Sequence, residues 1–342
     1  MVLIVYLTYL KRAGSEGFMA RWVWAAVVAI IIVAVFAIVA MTGQRQSVSN
    51  GTMGSRVQTP TSASQPQRVE VLLIPNGTTL VRAISRSPAE MMAAYYIGNG
   101  SVMITPYPWN MKSWRGEVET VYNGSALIAK INASYSEKYN PYAPVLGYPS
   151  ARYGCDPLFG ACTATEPPLK LPLPATNADA VIEIDYSIQP GNCDVTDFSY
   201  DIWFTKGPGL GPGDLELMLW MYYTTPLSQS APSPYWSSAG SYTASAYVNG
   251  NRVDMPIKAF LHIDRSSWSV LILAFERPIK SGSVALSIGD LVRIAERALN
   301  GTGINIDRLN LVSIDVGIEF DGPPNKLLSC SYEIYRWALA SS

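Results

Sequence analysis

In a β-strand successive side chains point to opposite faces, so an acid set between apolar neighbours is presented away from the core. Three segments show this pattern. In Leu215–Met221, Leu215, Leu217, Leu219 and Met221 form one apolar face, and Glu216, Met218 and Trp220 form the other. In Ser313–Phe320, Ile314, Val316, Ile318 and Phe320 alternate with Ser313, Asp315, Gly317 and Glu319. In Tyr200–Phe204, Tyr200, Ile202 and Phe204 alternate with Asp201 and Trp203. A face that carries Glu beside Met and Trp is neither core nor ordinary solvated surface, and it reads as the floor of a cleft. Two carboxyls on such a floor suit cleavage of a glycosidic bond. One must be protonated to donate to the leaving oxygen, and the other ionised to attack or stabilise the anomeric carbon. A third acid beside the ionised one can share a proton and help set its pKa. Trp203, Trp220 and Met218 share the acids' face, and aromatic rings stack on sugars through their apolar sides. Glu183 and Asp185 also share an outward face, but no Trp or Met interleaves with them, so they read as solvated charges.

Composition closes several other routes. The chain has a single histidine, His262, and four cysteines, Cys155, Cys162, Cys193 and Cys330, with no C-x-x-C pair. That excludes a metal site built on several imidazoles and a zinc ribbon, and leaves any acid-base chemistry to carboxylates. Lys plus Arg total 25 against 26 Asp plus Glu, which is not basic enough to hold a nucleic-acid backbone.

The elements that must position the acids are strands. After Val69, short alternating runs recur between turn residues, at 69–74, 181–188, 198–204, 215–223, 242–248, 268–275 and 311–320. Asn249-Gly250 signals a hairpin whose returning arm is the 252–260 segment. One stretch differs: Leu291, Val292, Ala295, Ala298 and Leu299 recur at helical spacing, and Asn300-Gly301 follows as a stop. Many strands and one helix predict an all-β fold, a two-sheet antiparallel jelly-roll sandwich with one α-helix.

Ahead of this domain, Trp22–Met41 is an apolar run of 20 residues without charge or proline, long enough to cross a bilayer as a single transmembrane helix. Lys11, Arg12 and Arg21 precede it, which leaves residues 1–21 cytoplasmic and the remainder outside the cell. The expected organisation is a signal anchor over 22–42, with Met19 as a possible true start, a Ser/Thr/Gln/Pro-rich linker over 43–68 and a catalytic domain over 69–342. A cleaved signal peptide, giving a secreted protein, is the alternative. Six N-x-[ST] sequons, at Asn50, Asn76, Asn99, Asn123, Asn132 and Asn300, accord with export. In an oxidising exterior the four cysteines allow three connectivities, of which Cys155–Cys162 with Cys193–Cys330 is the expected one.

The same residues resemble glycoside hydrolase family 12, the jelly-roll endo-β-1,4-glucanases. Glu216-Leu-Met-Leu-Trp220 is similar to the family's E-[LIV]-M-[IL]-W strand, which implies that Glu216 is the nucleophile. Val316-Gly-Ile-Glu-Phe320 is similar to its G-x-E strand, which implies that Glu319 is the acid/base. Tyr200-Asp201 resembles its Tyr-Asp pair, which implies that Asp201 supports the nucleophile through a hydrogen bond. Tyr107-Pro-Trp109-Asn110, Leu146-Gly-Tyr148-Pro149 and Arg152-Tyr153-Gly154 resemble its substrate-binding strands, which implies roles for Trp109, Asn110, Tyr148 and Tyr153. The likeness spans roughly residues 85–338. It departs at Phe320-Asp321, where Pro-Phe is common, and in the Gly- and Pro-rich loop 207–213. It implies a retaining endoglucanase on β-glucan that requires no cofactor or metal; a monomer is expected. A xyloglucanase or xylanase on the same sandwich, and a non-catalytic glycan-binding protein of the cell envelope, stay open beside it.

Overall fold

The computed structural model describes residues 69–158, 160–227 and 236–341. The expected transmembrane run and linker lie outside them. No helix among the described residues is long and apolar enough to cross a membrane.

Seventeen strands are described. In chain order they begin β1 (Glu70–Leu72), β2 (Val81–Ser85), β3 (Tyr95–Ile97), β4 (Val102–Thr105), β5 (Met111–Tyr122) and β6 (Leu127–Lys138). Next come β7 (Ser150–Gly154), β8 (Leu173–Pro174), β9 (Ala180–Gln189), β10 (Asp194–Thr205) and β11 (Leu215–Tyr222). The rest are β12 (Ser237–Val248), β13 (Asn251–His262), β14 (Ser269–Phe275), β15 (Ser281–Ser287), the helix α1 (Ile288–Ala298), β16 (Asn310–Asp321) and β17 (Leu328–Ser341).

One layer runs β3-β4-β7-β16-β10-β11-β14-β13-β12, and the other β12-β15-β9-β17-β6-β5-β2. β12 belongs to both: it pairs with β13 along its length and with β15 through Ala246–Val248, which joins the layers into a nearly closed sandwich. The β12–β13 hairpin turns at Asn249-Gly250, both with positive φ, as its tight turn requires. Pairing is antiparallel except between β11 and β14, which run parallel.

The alternation seen in the sequence explains the packing. Phe198, Tyr200, Ile202 and Phe204 of β10 and Leu215, Leu217, Leu219 and Met221 of β11 are buried between the layers. They meet Ile182, Ile184 and Tyr186 of β9 and Tyr332, Ile334 and Trp337 of β17. Ring contacts Tyr186–Phe198 (4.7 Å), Phe198–Tyr332 (5.2 Å) and Tyr200–Trp337 (6.4 Å) bridge the two layers. Fully burying a side chain of this size contributes about 2–3 kcal/mol. α1 is capped by the Ser287 hydroxyl, which accepts from the Asp290 N–H, and it buries Leu291, Val292, Ile294, Ala295 and Ala298. The cysteines pair as Cys155–Cys162 and Cys193–Cys330.

Candidate active site

The face of β10 turned away from the core carries Asp197, Ser199, Asp201 and Trp203, and strand register sets what stands beside each. One row across the sheet is Arg152 (β7), Asp315 (β16), Asp201 (β10), Met218 (β11), Ile272 (β14) and Phe260 (β13). The row toward the end of β10 places Glu216 between Trp203 and Val270. On the other side, Ser199 lies between Gly317 and Trp220, and beyond it Glu319 faces Asp197. Glycine is required at 317, because a Cβ there would come within 2.6 Å of the Pro149 carbonyl and 2.9 Å of the Tyr148 ring. The Tyr148 ring thereby lies over the strand, with its hydroxyl directed to the Ser199 carbonyl (3.4 Å) and toward Asp201.

Glu216 and Glu319 flank opposite ends of this row system. Their partners on β10, Trp203 and Asp197, would stand about 20 Å apart on a flat strand. The charge of Glu319 is nevertheless among the causes that raise Glu216. Burial pushes Glu216 up to about 8, and the charges of Glu319, Asp315 and Asp156 add to the rise. The indole N–H of Trp268 donates to Glu216 Oε2 at 3.0 Å and opposes it by stabilising the ionised form. Burial, then the charge of Asp197 and a hydrogen-bonding contact with it, hold Glu319 well above the usual carboxylate range. The two acids are thus set apart: Glu216 is the one helped to ionise, Glu319 the one helped to keep its proton.

Asp201 is also raised, by burial and then by the charges of Glu216 and Glu319. Its hydrogen bonds come from Ser199 Oγ (2.9 Å) and Tyr148, and Glu216 reaches it through charge. The expected hydrogen bond to Glu216 is therefore replaced by electrostatic contact. Below it, the buried Arg152 guanidinium is shared between Asp156 and Asp315 (3.4 Å) and lies against the Tyr107 ring.

The predicted binding residues divide. Trp203 lies on the acids' face but is buried, in edge contact with Trp268 (5.9 Å). Met218 and Trp220 are on the same face but buried in an apolar cluster with Tyr223, Phe260, Ile272 and Ala274, onto which Leu227 and Trp236 pack. Trp109 is half-buried in the segment after β4. Two expectations are corrected. Tyr153 pairs with Ile314 on the core face, and its hydroxyl donates to the Leu169 carbonyl (2.8 Å) and accepts from the Glu166 N–H (2.9 Å). Asn110 is fully buried, with its amide spent on the Asn140 and Val145 carbonyls and the Asn140 N–H. Both brace the fold instead of lining the cleft. Glu183 lies on the other layer, paired with Arg336 at 2.7 Å. Asp197 and Trp268 were not singled out by sequence, although extending the β10 alternation back by one residue reaches Asp197. Among the described residues no cluster of His, Cys, Asp and Glu is arranged to hold a metal ion.

A nine-strand layer stacked on a second sheet makes a jelly-roll sandwich. More particularly, the fold is that of family 12, as comparison with solved structures shows. The family 12 xyloglucanase from Bacillus licheniformis superposes with a TM-score of 0.54 over 76% of this chain and 98% of its own, at 17% identity. Endoglucanase Cel12A from Rhodothermus marinus gives 0.52 over 76% and 99%, at 15% identity. Endoglucanase 3 from Trichoderma harzianum gives 0.51 over 77% and 98%, at 14% identity. No family model matches the sequence, and no curated protein does.

Proposed function

We propose that this chain is a retaining endo-β-1,4-glucanase. What supports the reading is the unequal pair on the outward face of neighbouring strands: Glu216, which accepts from the Trp268 indole N–H, and Glu319, which stands beside Asp197 and is held protonated by burial and by that neighbour. Glu216 attacks the anomeric carbon as Glu319 protonates the leaving sugar oxygen. Glu319, now ionised, takes a proton from water, which attacks the glycosyl-enzyme and releases the product with retained configuration. Asp201, neutral beside Glu216, stabilises the charge on the nucleophile. Trp109, half-buried, supplies stacking surface for the sugar chain, and the buried Trp203 and Tyr148 support the acids from beneath. The family 12 folds of the similar endoglucanases and xyloglucanase support the reaction class. The two disulfides support an oxidising setting outside the cell, reached by way of the 22–41 run, with the protein acting as a monomer.

The test is reducing-sugar release by the purified chain from carboxymethylcellulose, barley glucan, xyloglucan and xylan, with the first-formed anomer read by proton NMR. Release from the β-glucans with the β-anomer appearing first is expected. No release from any of the four sinks the hydrolase, and α-anomer first sinks the double displacement.

A further inference from the structure

Asp197 is fully buried, and among the described residues neither of its carboxyl oxygens has a hydrogen bond of full geometry. The Ser199 hydroxyl, two residues along β10, donates to Asp201 at 2.9 Å and acts only secondarily on Asp197. What faces Asp197 is Glu319, its partner across β10 and β16, with the two carboxyl groups in hydrogen-bonding contact. Ionised acids in that position repel, and the contact is favourable only with a proton between them. No base relieves the pair. The other charges acting on Asp197 are those of Asp201 on its own strand and Glu216 on β11. Tyr148 approaches from the segment before β7 and is kept a neutral phenol by burial and by Asp201, Asp315 and Asp197. Tyr222 of β11 is likewise raised by burial. Lys138, from β6, is held 2.7 Å from Asp321, two residues past Glu319.

We propose that Asp197 is a positioning residue that works as a neutral carboxylic acid, donating a hydrogen bond to Glu319 as Glu319 protonates the leaving sugar oxygen. This rests on the hydrolase reading. At the start both carboxyl groups carry a proton. As the glycosidic C–O bond breaks, its electron pair goes to the leaving oxygen, which takes the Glu319 proton, and the charge left on Glu319 is received by the Asp197 O–H. When water attacks the glycosyl-enzyme, its proton returns to Glu319. Asp197 keeps its own proton throughout. Were Asp197 ionised, proton transfer would leave two adjacent buried carboxylates, and the barrier would rise by their repulsion. Burial, then the charge of Asp201, raise Asp197 well above the usual carboxylate range and outweigh the contacts with Ser199 and Glu319 that favour its ionised form.

Asp197→Asn places an N–H where the O–H stood and cannot ionise. In this variant the alkaline limb of kcat/KM is expected to move up by about one pH unit or more, with kcat at the acid side within about threefold of wild type. Asp197→Ala removes the donor, and kcat falls roughly 100-fold at every pH with little change in KM. Rescue by Asn of what Ala loses separates positioning from packing. An Asn variant whose limb stays put or moves down, or which loses as much as the Ala variant, overturns the proposal. A second readout needs no turnover: infrared difference spectra between acid and alkaline pH should lose one protonated-carboxyl band in Asp197→Asn. An unchanged band overturns the proposal whatever the chain hydrolyses. A lost band in a folded protein that cleaves no glucan sinks the hydrolase reading alone.

Discussion

Acids on the two layers of this sandwich live under opposite conditions. On the layer that carries β9, β17, β5 and β6, carboxylates sit near the surface and meet cations. Arg336 bridges Glu183 and Glu70, Arg82 and Lys130 reach Glu119, Arg86 reaches Glu117, and Lys112 reaches Glu137. On the outward face of the other layer, Asp197, Asp201, Glu216, Asp315 and Glu319 are raised by burial and by one another, and the cation among them, Arg152, is shared by Asp156 and Asp315. Surface pairs add little to stability, whereas unpaired buried acids cost several kcal/mol. This gathering of perturbed acids on one face is the feature on which the proposed hydrolase function rests.

The contrast can be broken most decisively at the nucleophile. We predict that Glu216→Gln lowers kcat for glucan cleavage by roughly 10⁴-fold while substrate binding, followed by tryptophan fluorescence, persists. A variant with more than a tenth of wild-type turnover would remove Glu216 from the mechanism. For Glu319→Gln the expected loss is about 10²–10⁴-fold, and smaller for aryl glycosides whose leaving group needs no proton. Equal losses on good and poor leaving groups argue against Glu319 as the acid.

Stability sharpens the comparison next. Arg152→Leu strands Asp156 and Asp315, and chemical denaturation should show a loss of about 3–5 kcal/mol. A loss below about 1 kcal/mol means the cluster carries its protons without help from the guanidinium.

The pH dependence follows from the direction of the shifts. In these five acids the folded value lies above the unfolded one, so the folded state holds more protons. Their contribution is whole below the unfolded carboxyl range, near pH 4, and is lost as pH rises through the folded values, about 8 for Glu216. Tm should therefore fall by about 5 °C or more between pH 5 and pH 9, and Glu216→Gln should flatten the slope. A Tm that climbs over this range contradicts the buried neutral acids. The smallest effect belongs to the other layer. Glu183→Gln should leave turnover unchanged and shift stability by less than about 1 kcal/mol.

Much of this contrast was legible in the residues. Alternation by two in β10, β11 and β16 separates core from cleft at each position, because burying one face fixes the register. The helical spacing of Leu291, Val292, Ala295 and Ala298 likewise marks their buried side in α1. What escaped depends on long-range pairing. Trp268 reaches Glu216 through the parallel β11–β14 pair, whose partners lie some fifty residues apart with no local turn to announce them. Asp197 belongs to the start of β10, before the apolar alternation becomes visible at Phe198. Asn110 and Tyr153 misled because motif likeness does not distinguish a side chain that lines a groove from one tied to backbone carbonyls beneath it. The burial of Met218 and Trp220 depends on Leu227 and Trp236, which arrive from outside their strand.

The bond between Cys193 and Cys330 spans 137 residues. Asp197, Asp201, Glu216, Trp268, Asp315 and Glu319 all fall within that closed circuit, which ties the chain just before β10 to β17 of the other layer. A ring of this size removes roughly 5 kcal/mol worth of freedom from the unfolded chain. The like-charged groups that would push the groove apart are thus looped together covalently, so that heat or alkali loosening one strand leaves its neighbours close enough to find their places again.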